Sequence, residues 1–181
     1  MKRSSFVIIF FFLSLFGFSQ TAKYSNEFLS IGVGARGLAL SNSLTAITND
    51  VTSGYWNPAG LSRMEQKYQL SLMHAAYFAN IANYDYAALA YKIDTSSAIA
   101  LSFIRLGIDN IMNTLFLVDN QGNFDYSRIS TFSTADMAFL LSYSYNFPQV
   151  KGLSVGGSAK IIKRNLGSFA DAWGFGIDAG I

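Results

Sequence analysis

Beyond Tyr68 the large apolar residues of this chain recur at every second position. In one segment Ile99, Leu101 and Phe103 alternate with Ala98, Ala100 and Ser102. In the next, Met137, Phe139, Leu141, Tyr143, Tyr145 and Phe147 alternate with Asp136, Ala138, Leu140, Ser142, Ser144 and Asn146. Leu153, Val155, Ala159 and Ile161 then alternate with Ser154, Gly156, Ser158 and Lys160. Finally Trp173, Phe175 and Ile177 alternate with Gly174, Gly176 and Asp178. Successive side chains of a strand point to opposite faces, so a period of two predicts strands with one large apolar face and one small or polar face. Two earlier segments read the same way. Tyr68 to Ala76 puts Leu70 and Leu72 on one face, and Tyr84 to Ile93 does so for Leu89, Tyr91 and Ile93. Six strands are expected.

A soluble sandwich also alternates, so two further features select between environments. The segments reach about ten residues, longer than the ~5–6 of an average soluble strand and enough for a tilted strand to cross a bilayer. The less apolar face is built mostly of Ala, Ser and Gly, whereas a solvated face would carry Lys, Glu and Thr. Small residues suit the crowded inside of a narrow or plugged barrel, with the aromatic and aliphatic face turned to lipid. The expected fold is therefore all-β, a transmembrane antiparallel β-barrel.

Composition agrees with export to a membrane. Of 181 residues, 13% are charged, against roughly 25% in an average soluble domain. The net charge of +2 is too small to argue for a nucleic-acid partner. The absence of cysteine excludes a disulfide framework, a thiolate metal site and a lipoprotein anchor. Lys2 and Arg3 precede an almost unbroken apolar run from Phe6 to Phe18, and Gly17 and Ser19 supply small residues just before Gln20. This order is that of a cleaved signal peptide over residues 1–19, the run being shorter than the ~18–20 residues of a spanning helix. Later apolar stretches are broken too soon to add helical spans.

The connections predict an orientation. Asp94-Thr95-Ser96 and Pro148-Gln149-Val150-Lys151-Gly152 are short, whereas Gly107 to Ser133 and Asn165 to Ala172 read as longer external loops. Outer-membrane barrels have short periplasmic turns and long external loops, so the third and fifth strands are expected to run outward. That places Arg105, Lys163 and Arg164 near the outer rim, as snorkelling cations or as contacts for lipopolysaccharide phosphates.

Residues 20–66, ahead of the strands at 67–181, have a different character. Small residues are dense from Ser30 to Gly37. Leu40, Leu44, Ile47 and Val51 follow at spacings of four, three and four, a short helical stripe interrupted by Asn49-Asp50. In Trp56-Asn57-Pro58-Ala59-Gly60-Leu61, Asn57 can cap a short helix that starts on Pro58. A compact helical segment before a barrel suits a plug, or hatch. The stretch Tyr24 to Leu61, with Gly34-Ala35-Arg36, Asn49-Asp50 and the Trp56 to Leu61 motif, resembles the opening of PorV/PorQ-family proteins of Bacteroidota, which are themselves similar to FadL-type channels. Where that family usually shows Asp-Asp and Gly-Gly, this chain has Asn49-Asp50 and Ser41-Asn42.

The resemblance implies a FadL-like barrel of about fourteen strands with a helical hatch. Six strands are fewer than the ~8 of the smallest barrels, so the sequence is expected to be the N-terminal part of a longer protein. It also implies a cell-outer-membrane component of the type IX secretion system, in contact with lipopolysaccharide and with other secretion components or secreted cargo. The alternative it leaves open is a channel for hydrophobic small molecules. No enzyme or cofactor is expected. The single histidine, His74, reads as a rim or wall residue. Asp136 and Asp178 read as lumen polarity rather than acid–base chemistry. Gly32-x-Gly34-x-x-Gly37 has dinucleotide-motif spacing without a framing strand and acid, and reads as hatch packing.

Overall fold

A computed structural model describes residues 26–119 and 121–181; the expected signal peptide lies outside them. Six strands follow in chain order: β1 (Tyr68–Tyr77), β2 (Ala82–Lys92), β3 (Ser97–Asn113), β4 (Ser130–Asn146), β5 (Ser154–Leu166) and β6 (Ala170–Gly180). They form one antiparallel sheet in the order β1-β2-β3-β4-β5-β6, a partial barrel wall. The all-β expectation holds, and every strand has at least 10 residues.

The register aligns like with like on each face. One row of the outward face runs Leu70, Leu89, Leu101, Leu141, Ala159 and Ile177. The next runs Leu72, Ala87, Phe103, Phe139, Ile161 and Phe175. These side chains are left uncovered: Leu72 is 71% exposed, Leu141 53% and Phe175 79%. On the opposite face Ala98, Ala100, Ser102, Ile104, Ala138, Leu140, Ser142 and Ser144 are all buried. The residues expected to face lipid are thus the exposed ones, and the small face is the covered one.

The hatch segment covers it. Phe28, Val33, Val51, Leu61 and Met64 pack on Tyr84, Tyr86, Ala88, Ala100, Ile104, Leu140 and Ile162 to form the apolar core. The core lies between hatch and wall, so burial of hatch side chains stabilises both.

Two expectations are corrected. The stripe from Leu40 to Val51 is not one helix. The helix Ala35–Ala39 stops where Ser41 (φ 52) and Asn42 (φ 65) enter the left-handed region, which an α-helix cannot pass through. Leu44 and Val51 are buried, but Leu40 and Ile47 are exposed. The connection lengths also differ. Only Gly167, Ser168 and Phe169 join β5 to β6, because the polar residues read as loop continue the strands. Residues 78–81 at the same end are short too, leaving the β3–β4 connection as the long one. The two ends of the sheet differ instead in strand length. β2 stops opposite Ile108, whereas the β3–β4 ladder continues to Asn113 opposite Ser130.

Candidate functional site

The hatch is seated by its own short turns. Asp50 opens one of them: its carboxylate accepts from the Thr52 N–H at 2.8 Å, and the Ser53 hydroxyl accepts from the Asp50 N–H at 3.2 Å. This reciprocal arrangement satisfies two otherwise free donors, as in a capping box, and leads into the helix Ser53–Trp56. Asn49, beside it, is exposed. The expected cap at Asn57 forms. Its Oδ1 accepts from the Ala59 N–H at 3.1 Å, and Pro58 opens a 3-10 turn, Pro58–Arg63, rather than an α-helix. Asn57 Nδ2 also donates to the carbonyls of Thr45 at 2.9 Å and Ile181 at 3.1 Å, tying the hatch to itself and to the end of β6.

Tyr55 and Trp56 organise the small-residue stretch before them. Trp56 Nε1 donates to the Val33 carbonyl at 3.2 Å, and its ring lies where a side chain on Gly37 would have to go. The Tyr55 hydroxyl accepts from the Gly32 N–H at 3.0 Å and donates to the Leu29 carbonyl. Burial raises the Tyr55 pKa above its ordinary 10.0 despite that N–H, so the group stays a neutral donor. Gly32 and Gly37 thus pack against Asn42 and Trp56 of the same segment, where a Cβ would not fit.

The seat on the wall is made of serines and missing side chains. Ser142 Oγ donates to the Gly54 carbonyl at 3.2 Å and is 2.7 Å from Ser158 Oγ. Ser144 Oγ donates to the Ala59 carbonyl at 2.9 Å and accepts from the Ser62 N–H at 3.3 Å. Lys92 Nζ donates to the Met64 carbonyl at 2.6 Å, and Gln69 accepts from the Val51 N–H at 2.8 Å. Buried backbone groups need partners, and the wall supplies them. At Gly156 a Cβ would lie 2.4 Å from Ala59 N and Pro58 C; at Gly180 it would meet Asn57 Oδ1. Gly60 is pressed against the Thr48 carbonyl from within the hatch. Of these contacts the sequence marked only the Asn57 cap. The serines were legible as a small face, not as partners of named hatch carbonyls.

Asn57→Ala is expected to cost about 1–2 kcal/mol from the lost cap. Asn57→Asp keeps the acceptor but loses both amide donors, and should fall between. Urea midpoints of the detergent-solubilised protein measure the order.

The outward face carries the charged candidates. His74, Asp85, Arg105, Met137, Lys163 and Trp173 form one cross-strand row. His74 Nδ1 lies 2.7 Å from Asp85, and Arg105 pairs with the same carboxylate at 3.2 Å. Lys163 Nζ lies 5.3 Å from the centre of the Trp173 ring, a cation–π contact. Arg164 is on the other face. It makes two bonds to the Asp136 carboxylate inside the wall, because it is one residue out of phase with Lys163. Arg164 therefore does not share the outward row of Arg105 and Lys163. Asp178 also faces inward and pairs with Lys160 at 2.7 Å. Both inward carboxylates are thus neutralised by cations of β5.

No protein-family model, curated protein or solved structure matches the chain. The functional reading therefore rests on the geometry and on the sequence resemblance.

At the turn end the same outward face is bordered by aromatics. Tyr68 and Tyr91 stack with centroids 5.0 Å apart, and Lys67 Nζ lies 5.9 Å from each ring. Tyr143 shares their row through Ile99. Between the tyrosine row and the charged row lie only the leucine-rich and phenylalanine-rich rows.

Proposed function

We propose that the chain is wall and hatch of an outer-membrane β-barrel of the PorV/PorQ type, serving type IX protein secretion as a structural or cargo-binding component. The observation that carries the membrane part is the outward face. An uncovered apolar surface spanning six strands is far larger than the patches monomeric soluble proteins expose. It carries a tyrosine row towards one side and an ionic row with a tryptophan on the other. Those two rows are six residues apart, about 20 Å along the strand. The apolar face continues past the tyrosine row to Val155 and Phe147, so that together they approach the ~25 Å apolar band of a tilted barrel wall with aromatic and cationic borders. On this reading Arg105 and Lys163 lie at the outer interface, where lipopolysaccharide phosphates are natural partners.

The seat of the hatch favours an interaction protein over a channel for hydrophobic small molecules. A gating hatch must leave its seat, and here serine hydroxyls and glycine backbone hold it at van der Waals distance. The experiment is gene deletion with two readouts, secreted protein and long-chain fatty-acid uptake. Lost secretion with normal uptake is the expected result. Normal secretion with lost uptake would replace this reading with the channel.

A further inference from the structure

The β3–β4 hairpin projects past its neighbours and ends in side chains that none of the described residues covers. Met112, Leu115, Phe116, Val118, Phe124 and Tyr126 are each more than half exposed, Tyr126 at 72%. Their exposure is imposed by the backbone. Asp119 N–H donates to the Asn123 carbonyl at 3.0 Å, and Asp125 N–H to the Leu117 carbonyl at 2.8 Å. The Asp119 carboxylate accepts from the Gln121 and Asn123 N–H groups at 2.8 and 2.9 Å, and Asp125 accepts from the Ser127 N–H at 3.1 Å. The Asn123 N–H on Asp119, and the Ser127 hydroxyl at 2.6 Å together with its N–H on Asp125, hold the two carboxyls below their ordinary range. A shape fixed in this way presents aromatic side chains at little entropic cost on binding, the property of a protein-binding hot spot.

Charge selects the occupant. Between Gly107 and Ser133 the charged residues are Asp109, Asp119, Asp125 and Arg128: three carboxylates against one guanidinium, a net −2 in a chain whose total is +2. Arg128 is engaged by Asp125 at 3.0 Å. An anionic lipid surface repels such a tip. Distance also separates it from the apolar band. Asn113 lies eight strand positions beyond Arg105, about 25 Å along the chain at the rise of a strand, with a bulge at Asp109-Asn110 that re-aims it.

We propose that this hairpin tip is a docking surface for a cationic protein segment carrying apolar side chains, on the outer side of the membrane. The inference rests on the outer-membrane reading above for its side and for the exclusion of lipid. The test uses the full chain purified in zwitterionic detergent, with a labelled peptide of alternating Lys and Phe as probe and a Glu–Phe peptide of equal length beside it. The Lys–Phe peptide is expected to bind at least tenfold more tightly than the Glu–Phe peptide. Leu115→Ser/Phe116→Ser, outside the hairpin ladder, should weaken it at least tenfold, and Asp109→Asn about threefold with a shallower salt dependence. Equal binding of the two peptides, or binding indifferent to all three substitutions, overturns the proposal. So does a serine variant that changes only association with lipopolysaccharide-containing vesicles, which would assign the tip to lipid. Failure of the outer-membrane reading is scored separately, by whether the wild-type protein enters vesicles at all.

Discussion

Gly156→Ala is expected to lower folding stability by on the order of 3 kcal/mol and to free the hatch, whereas Gly157→Ala changes it by less than about 0.5 kcal/mol. The two glycines are adjacent on β5 and face opposite ways. A Cβ on Gly156 would sit 2.4 Å from Ala59 N and from Pro58 C. Those are backbone atoms of the Pro58–Arg63 turn, and no rotamer change can move them. The turn must lift, which breaks the bond from Ser144 to the Ala59 carbonyl and strains those from Ser142 and Ser158 to Gly54. A Cβ on Gly157 points outward and approaches the Asp178 carbonyl no closer than 3.4 Å, an ordinary contact. Urea unfolding in detergent measures the stability difference. Tryptic cleavage at Arg63, whose guanidinium lies against Ser154 and Gly152 when the hatch is seated, reports the lifting. Equal effects of the two substitutions would mean that the hatch does not occupy this seat.

That pair also marks where sequence reasoning stops. Period two assigns Gly156 and Gly157 to opposite faces, and alternation holds along every strand up to the bulge at Asp109-Asn110 of β3, because face is a local property of extended backbone. The cap at Asn57 and the proline start at Pro58 were legible for the same reason. The same phase separates Arg164 from Arg105 and Lys163: it follows Lys163 by one residue and so turns to the other face. The break after Ala39 was less accessible: apolar spacing from Leu40 to Val51 fits a helix, and only the left-handed backbone at Ser41 and Asn42 ends it. The polar ends of β5 and β6 read as loop because their strand continues beyond the apolar band, so hydropathy marks the band and not the strand. Which glycine is pressed against hatch backbone and which meets only a neighbouring strand's side chain at ordinary contact distance, as between Gly156 and Gly174 with Ile162 at 3.5 Å, is decided by tertiary approach. The residues carry no trace of it.

Replacing Leu141 by Arg is expected to cost about 2–4 kcal/mol in a lipid bilayer, and the same change at Val155 no more than about 1 kcal/mol. Both side chains are outward and about half exposed, 53% and 42%, so burial within the protein does not separate them. Leu141 belongs to the leucine row, flanked by Leu101 and Ala159; Val155 lies on the turn side of the tyrosine row, opposite Tyr145. The difference is therefore one of depth in the surrounding medium. If that medium were water, an arginine at either site would be solvated on arrival and both changes would stay within about 0.5 kcal/mol. In hydrocarbon the guanidinium at Leu141 must thin the bilayer or draw water inward, while at Val155 it reaches the interface directly. Folding equilibria in vesicles give the two costs. A large cost at Leu141 with a small one at Val155 places Leu141 inside the slab and Val155 at its edge. Two small costs would remove the membrane from the account and leave the apolar face to be covered by protein.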